Sequence, residues 1–139
     1  MRGVTGPVVR VLLVAGAVVA VFLLVRWQHR EDRCADARRV LYFAPGRHPP
    51  PARSVDRAVR DAKDTCNAED LRTAVNSLAQ AGDRRAVPLA REVVRRQPKD
   101  FKAWGTLSVA LEPTDPSGAE RARRRAFALN PLLARPRGR

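Results

Sequence analysis

The feature that most constrains this chain lies at its start. From Val4 to Val25 the sequence reads VTGPVVRVLLVAGAVVAVFLLV, apolar except for Thr5 and Arg10. As a helix these 22 residues span about 33 Å, enough to cross a hydrocarbon core of about 30 Å. Arg10 lies near one end, where its guanidinium can extend to the headgroups, so it shortens the apolar run without forbidding insertion. Trp27 stands where an interfacial aromatic belongs, and Arg26, His29, Arg30 and Arg33 around it form a polar stop. A cleaved signal peptide competes with this reading, because Ala15-Gly16-Ala17 has the small-x-small form. Yet Val18 to Val25 continue apolar beyond it, and no lipid-attachment cysteine follows, since Cys34 comes after Glu31-Asp32-Arg33. Residues 1–30 are therefore expected to form a single-pass membrane anchor with its flanks.

What remains is long enough for one small domain. It is rich in Ala, Arg, Val and Leu and poor in aromatic residues, which favours short helices over a β-sandwich. The net charge of +13 raises the question of nucleic acid. Lysine occurs only at 63, 99 and 102, and the arginines are scattered among Asp and Glu instead of forming one stripe with stacking aromatics. No specific nucleic-acid partner is expected. Attraction to anionic lipid headgroups is a different matter, since each Arg near a membrane surface adds up to about 1 kcal/mol.

Residues 31–53 divide into a juxtamembrane helix and a linker. Asp36 to Phe43 can continue as helix, Ala44-Pro45-Gly46 ends it, and Pro49-Pro50-Pro51 makes a polyproline-type spacer within 47–53. Ser54 is expected to cap the next helix, through about Asp64, with Val55, Ala58, Val59 and Ala62 on one face. Asn67 starts another, with Leu71, Ala74, Val75 and Leu78 inward and Gly82 as its stop. A helix over about 85–96 tolerates Pro88 in its first turn and turns Ala86, Leu89, Ala90, Val93 and Val94 inward. Asp100 caps a helix whose apolar residues are Phe101, Trp104, Leu107, Val109 and Leu111. Asp115-Pro116 opens the last helix, with Ala119, Ala122, Ala126, Phe127 and Leu129 on its apolar side and Pro131 closing it. Residues 134–139 form a short basic tail.

Cys34 and Cys66 are the only cysteines. With no CxxC, and with His29 and His48 at no ligand-like spacing, they make no zinc site. Two readings stay open: unpaired cysteines in helix contacts, or one disulfide joining the membrane-proximal helix to the next. The two readings bear on topology. A disulfide persists outside the cytoplasm. Arg26, Arg30, Arg33, Arg38 and Arg39 outnumber Arg2 and Arg10, which by the positive-inside tendency argues for a cytoplasmic domain. The expectation leans to the extracytoplasmic side.

Laid on itself at an offset of about 33, the chain brings its later helices into register. Leu71 falls on Trp104, Ala74 on Leu107, Val75 on Ser108 and Leu78 on Leu111. Gly82 falls on Asp115, Ala86 on Ala119, Val93 on Ala126, and Gln97-Pro98 on Asn130-Pro131. Each unit, about 68–100 and 101–133, is a helix, a turn, a second helix and a terminating proline. On these residues the chain resembles the tetratricopeptide repeat family. The resemblance implies an all-α fold over 54–133: a short α-solenoid of antiparallel hairpins behind the transmembrane helix. Leu71, Leu78, Ala86, Pro98, Trp104, Leu107, Leu111, Ala119, Ala126 and Pro131 are its repeat-packing positions. In that family the first helices of the units line a face that holds a peptide or protein. The period here is a residue short of the usual length of about 34, and Leu78 and Leu111 stand where an aromatic is usual. Two units are fewer than such arrays need to bury a continuous core. The helices at about 36–43 and 54–64 are therefore expected to pack as a cap.

No Ser–His–acid set, phosphate loop or paired carboxylate is visible, so neither an enzyme nor a cofactor is expected. The leading expectation is a membrane-tethered adaptor binding a protein partner, such as a larger membrane complex, through Arg72, Asn76, Gln80, Lys102, Thr106 and Ser108. The alternative is a polyanion binder for anionic lipid or envelope polymer, acting through Arg121, Arg123, Arg124 and Arg125, with Arg135, Arg137 and Arg139. A merely solvated helix face is the bland counterpart of both.

Overall fold

In the computed structural model, residues 5–42 and 50–134 are described, and all their regular structure is helical. The order is α1 (Thr5–Leu41), α2 (Ala52–Thr65), α3 (Ala68–Gln80), α4 (Ala86–Arg96), α5 (Phe101–Leu111) and α6 (Pro116–Leu129), then a 3-10 turn over Pro131–Ala134. The expected terminator Ala44-Pro45-Gly46, the start of the proline spacer through Pro49 and the basic tail beyond Ala134 lie outside the described residues.

α1 is one continuous helix of 37 residues, so no break separates the apolar segment from the juxtamembrane helix expected at residue 31. Nothing between Val25 and Leu41 interrupts it, since Pro and Gly are absent there. The helix is long and apolar enough to cross a membrane. From Val9 to Trp27 its side chains are covered by no other element, whereas Cys34, Ala37 and Leu41 on the same helix are buried.

Capping sets most of the other boundaries. Asn67 Oδ1 accepts from the Asp70 N–H (2.9 Å) at the start of α3, Asp100 Oδ1 from the Lys102 N–H (2.9 Å) at α5, and Asp115 Oδ1 from the Gly118 N–H (2.8 Å) at α6. A Cβ on Gly118 would stand 2.1 Å from Asp115 Oδ2, so a larger residue there would displace the capping carboxylate from this position. α3 ends on Gly82 in the left-handed region (φ 68), and the Asp83 N–H donates to the Leu78 carbonyl (2.9 Å). At α2 the expectation fails. The helix begins two residues before Ser54, with Pro51 in the capping position and no side-chain cap, because the fixed φ of proline sets up the first turn. The Pro51 carbonyl accepts from the Ser54 and Val55 N–H groups.

α1 packs on α2, α3 on α4 and α5 on α6. Between these pairs α1 meets α3, α3 meets α5, and α4 meets both α2 and α5. One core runs through all of them. Its fully buried members are Leu41, Val55, Leu71, Val75, Leu78, Leu89 and Val93, and Ala58, Ala62, Ala74, Ala86, Ala90, Ala103, Ala110, Ala119 and Ala122 fill the helix contacts. Such small residues let helix axes approach to the lower end of the usual 8–10 Å. Cys34 and Cys66 form a disulfide across a Cα–Cα distance of 5.0 Å, which fastens the C-terminal part of α1 to the end of α2.

Arginine completes the narrow contact of α2 with α4. At one end Arg85 donates to Asp56 Oδ1 (2.9 Å) and the Ala52 carbonyl (3.0 Å). At the other, Arg96 donates to the carbonyls of Cys66 (2.8 Å) and Lys63. Glu92 holds Arg96 in place through its Nε (2.7 Å). The Arg95 hydrogen bond, with help from Arg96 and against burial, pushes the Glu92 carboxyl down from 4.5 to about 2. A carboxylate whose folded value lies below its unfolded one adds stability above the unfolded value and loses it as pH falls. The melting midpoint is therefore expected to drop between pH 4.5 and about 2, and Glu92→Gln to drop less across that window. Parallel acid melts would refute this if the two proteins descended together.

Candidate functional site

The expected contact surface divides when placed on this frame. Asn76 and Gln80 on α3 and Lys102 on α5 are exposed. Thr106 and Ser108 are not: they are 7% and 4% exposed. α5 is covered by α3, α4 and α6 at once, so its middle turn has no free polar side. Of the apolar residues expected on this helix, Val109 is 48% exposed, unlike Phe101 and Trp104. Those two are half-buried, and Trp104 Nε1 donates to the Pro98 carbonyl (2.9 Å). Arg72 is only 14% exposed and is committed to a structural role, paired with Glu69 on its own helix and with Asp100 at the start of α5 (3.5 Å).

The first helices of the pairs carry a row of positions that is accessible apart from Arg72. Asp36 and Arg39 on α1 are exposed and paired (2.9 Å). An offset of 33 carries them onto Glu69 and Arg72, also paired, and again onto Lys102 and Gly105. The same offset carries Asn76 onto Val109. A Cβ on Gly105 would meet nothing within 4 Å, so the row is open there. Glu69, Gly105 and Val109 are thus members that sequence reasoning missed. Their signal was available, because the repeat offset applied to Asn76 and Arg72 points to 109 and 105.

Above this row, Arg38 pairs with Asp70 (3.0 Å) and the Tyr42 hydroxyl donates to the Asp70 carbonyl (3.3 Å), joining α1 to α3. Burial, with the Asp70 charge second, raises the Tyr42 hydroxyl above its ordinary value, so it stays a neutral donor.

The alternative surface on α6 is largely self-neutralised. Arg121 reaches Asp115 (3.8 Å) and Ser117 (3.1 Å), Arg123 pairs with Glu120 (3.1 Å) and Glu112 (3.5 Å), and Arg124 approaches Glu120 (3.9 Å). Arg125 is exposed and has no ion pair among the described residues. Of the repeat-packing positions, Leu71, Leu78, Ala86, Leu107, Leu111, Ala119 and Ala126 are buried, Trp104 is half-buried, and Pro98 and Pro131 are exposed past the helix ends.

Comparison with protein-family models, with curated proteins and with solved structures gives no match to this chain.

Proposed function

We propose that this chain is a membrane-anchored adaptor: the apolar half of α1 crosses the bilayer, and three stacked hairpins of tetratricopeptide-repeat type present the first-helix row to a protein partner. The domain carries no chemistry of its own. The observation that supports this most directly is the recurrence of one register on three helices. Asp36, Glu69 and Lys102, then Arg39, Arg72 and Gly105, then Leu41, Ala74 and Leu107 each stand 33 apart, and the last set is buried each time. A repeated scaffold with a variable outer row is how such arrays select a ligand. Fixed charges on α1 and α3 would set the partner's register, and the open surface at Gly105 and Val109 would take an apolar side chain. The Cys34–Cys66 pair favours the extracytoplasmic side, where a disulfide persists.

A photo-crosslinking residue at 76, 105 or 109 in intact membranes is expected to give the same discrete adduct from all three positions. Position 91 on the exposed side of α4 should give none. An apolar and shape-based contact survives moderate salt, whereas an attraction between charges fades within a Debye length of about 8 Å at physiological ionic strength. Adducts that are absent, or equal at position 91, would end the adaptor reading.

A further inference from the structure

Where the apolar run of α1 ends, a cleft of about 660 Å³ opens between that helix and the end of α2. Phe22 and Val25 line its apolar end. Arg26, His29, Arg30 and Arg33, at i, i+3, i+4 and i+7, line the rest from one face of the helix. Asp64 of α2 stands at the opposite wall, and the disulfide one turn away holds that wall in place. Arg26 and Arg33 make no ion pair among the described residues, and the one protein partner of Arg30 is the Asp64 carbonyl at 3.5 Å. This sets them apart from Arg95 and Arg96 of α4 and from Arg121, Arg123 and Arg124 of α6, which pair with Glu92, Glu112, Asp115 or Glu120.

We infer that this cleft is a binding site for one anionic glycerophospholipid, its phosphodiester held by Arg26, Arg30 and Arg33 and its acyl chains lying on Phe22 and Val25. Arg26 to Arg33 covers about 10 Å along the helix, slightly more than the roughly 5–8 Å of headgroup layer in each leaflet, so the long side chains of Arg26 and Arg33 would reach toward Arg30 to meet at one phosphate. Guanidinium groups suit phosphate oxygens because their donors fork in one plane. The Asp64 carboxylate would repel a second phosphate but can accept from headgroup hydroxyls, which points to a glycerol-type headgroup such as phosphatidylglycerol. Occupancy would fix how the repeat domain stands on the membrane, because the lipid bridges α1 to the end of α2. The inference rests on α1 spanning the bilayer.

The test uses the full-length protein with Trp104→Phe, so that Trp27, beside the cleft, is the sole tryptophan. It is placed in bilayers of phosphatidylcholine containing a tenth phosphatidylglycerol, with bromine on the acyl chains of one lipid or the other. Brominated phosphatidylglycerol is expected to quench Trp27 about threefold or more beyond its share of the bilayer. R26Q/R30Q/R33Q should bring quenching down to that share. R121Q/R124Q/R125Q, which removes the same charge from α6, should leave the excess intact. Inorganic phosphate in the aqueous phase should not displace the lipid. No excess in the parent protein, or equal loss in the two triple variants, overturns the site, as does displacement by inorganic phosphate, which would assign the cleft to a soluble anion. Should brominated phosphatidylcholine alone fail to quench Trp27, the membrane-spanning reading fails and the site falls with it.

Discussion

Reducing the Cys34–Cys66 disulfide is expected to lower the melting midpoint of the helical domain by about 15–30 °C. The bond joins residues 32 apart in sequence. Closing a loop of that size removes unfolded-chain entropy worth about 3.7 kcal/mol in the chain-entropy model, and each kcal/mol moves the midpoint of a domain this small by about 4–8 °C. The native contacts do little to replace it. α2 meets only α1 broadly; its contact with α4 is narrow and arginine-bridged. Loss of the bond should therefore free α2 first and then expose Leu41 and Ala37 on α1. Circular dichroism melts of the oxidised protein, the reduced protein and C34A/C66A would measure it, and a fall of under about 3 °C would show that packing alone holds the first hairpin. Applied to intact cells, the same reduction also reports topology. If the domain lies outside the cytoplasm, an impermeant thiol reagent labels both cysteines, and only after reduction.

The parts of this fold that were legible in the sequence are those fixed locally. Asn67, Asp100 and Asp115 each supply an oxygen to a bare N–H at a helix start, and Gly82 supplies the left-handed residue that ends α3. Those interactions need only a few neighbouring residues, so type and spacing announce them. The apolar length of α1 was equally plain. The burial of Thr106 and Ser108 was not, because it depends on three helices closing over α5, and no periodicity within α5 encodes how many neighbours it will have. Val109, two residues from both Leu107 and Leu111 and so off their face, is left outside.

The pair α1–α2 was expected as a cap packed on the first unit, and its offset from α3–α4 was hidden for a different reason. α1 and α3 keep the offset of 33, but the buried residues of α2, namely Val55, Ala58, Val59 and Ala62, stand 31 before Ala86, Leu89, Ala90 and Val93 on α4. The path from the buried Leu41 to the buried Val55 is thus two residues longer than that from Ala74 to Ala86. A single-offset overlay loses α2 there, while the membrane-type run masks the register at the other end of α1. The candidate row was half visible for a related cause: Asn76 and Lys102 read as polar surface, but Gly105 and Val109 do not look like contact residues until the repeat is applied to the exposed positions as well as the buried ones.

The middle hairpin is where the stack should be most vulnerable. Leu78 is fully buried near the end of α3, the helix that touches α1, α4 and α5, and its carbonyl accepts the Asp83 N–H that closes the α3–α4 turn. Leu78→Ala would leave a cavity that the turn and two flanking helices cannot fill without breaking other contacts, at a cost of about 2–5 kcal/mol. Phe127 is a larger side chain but lies on α6, which packs chiefly on α5, and it is 38% exposed. Phe127→Ala is expected to cost under about 1.5 kcal/mol, since much of the ring already meets solvent. In a stack whose stability is carried by neighbour contacts, damage to the middle unit uncouples both ends at once. L78A should therefore melt as α1–α2, still closed by its disulfide, separating from α5–α6, whereas F127A should keep one transition. Denaturant unfolding followed at Trp104 and by helix content decides the matter: coincident curves for L78A, or a loss no greater than that of F127A, would mean that the hairpins do not lean on α3 as their contacts indicate.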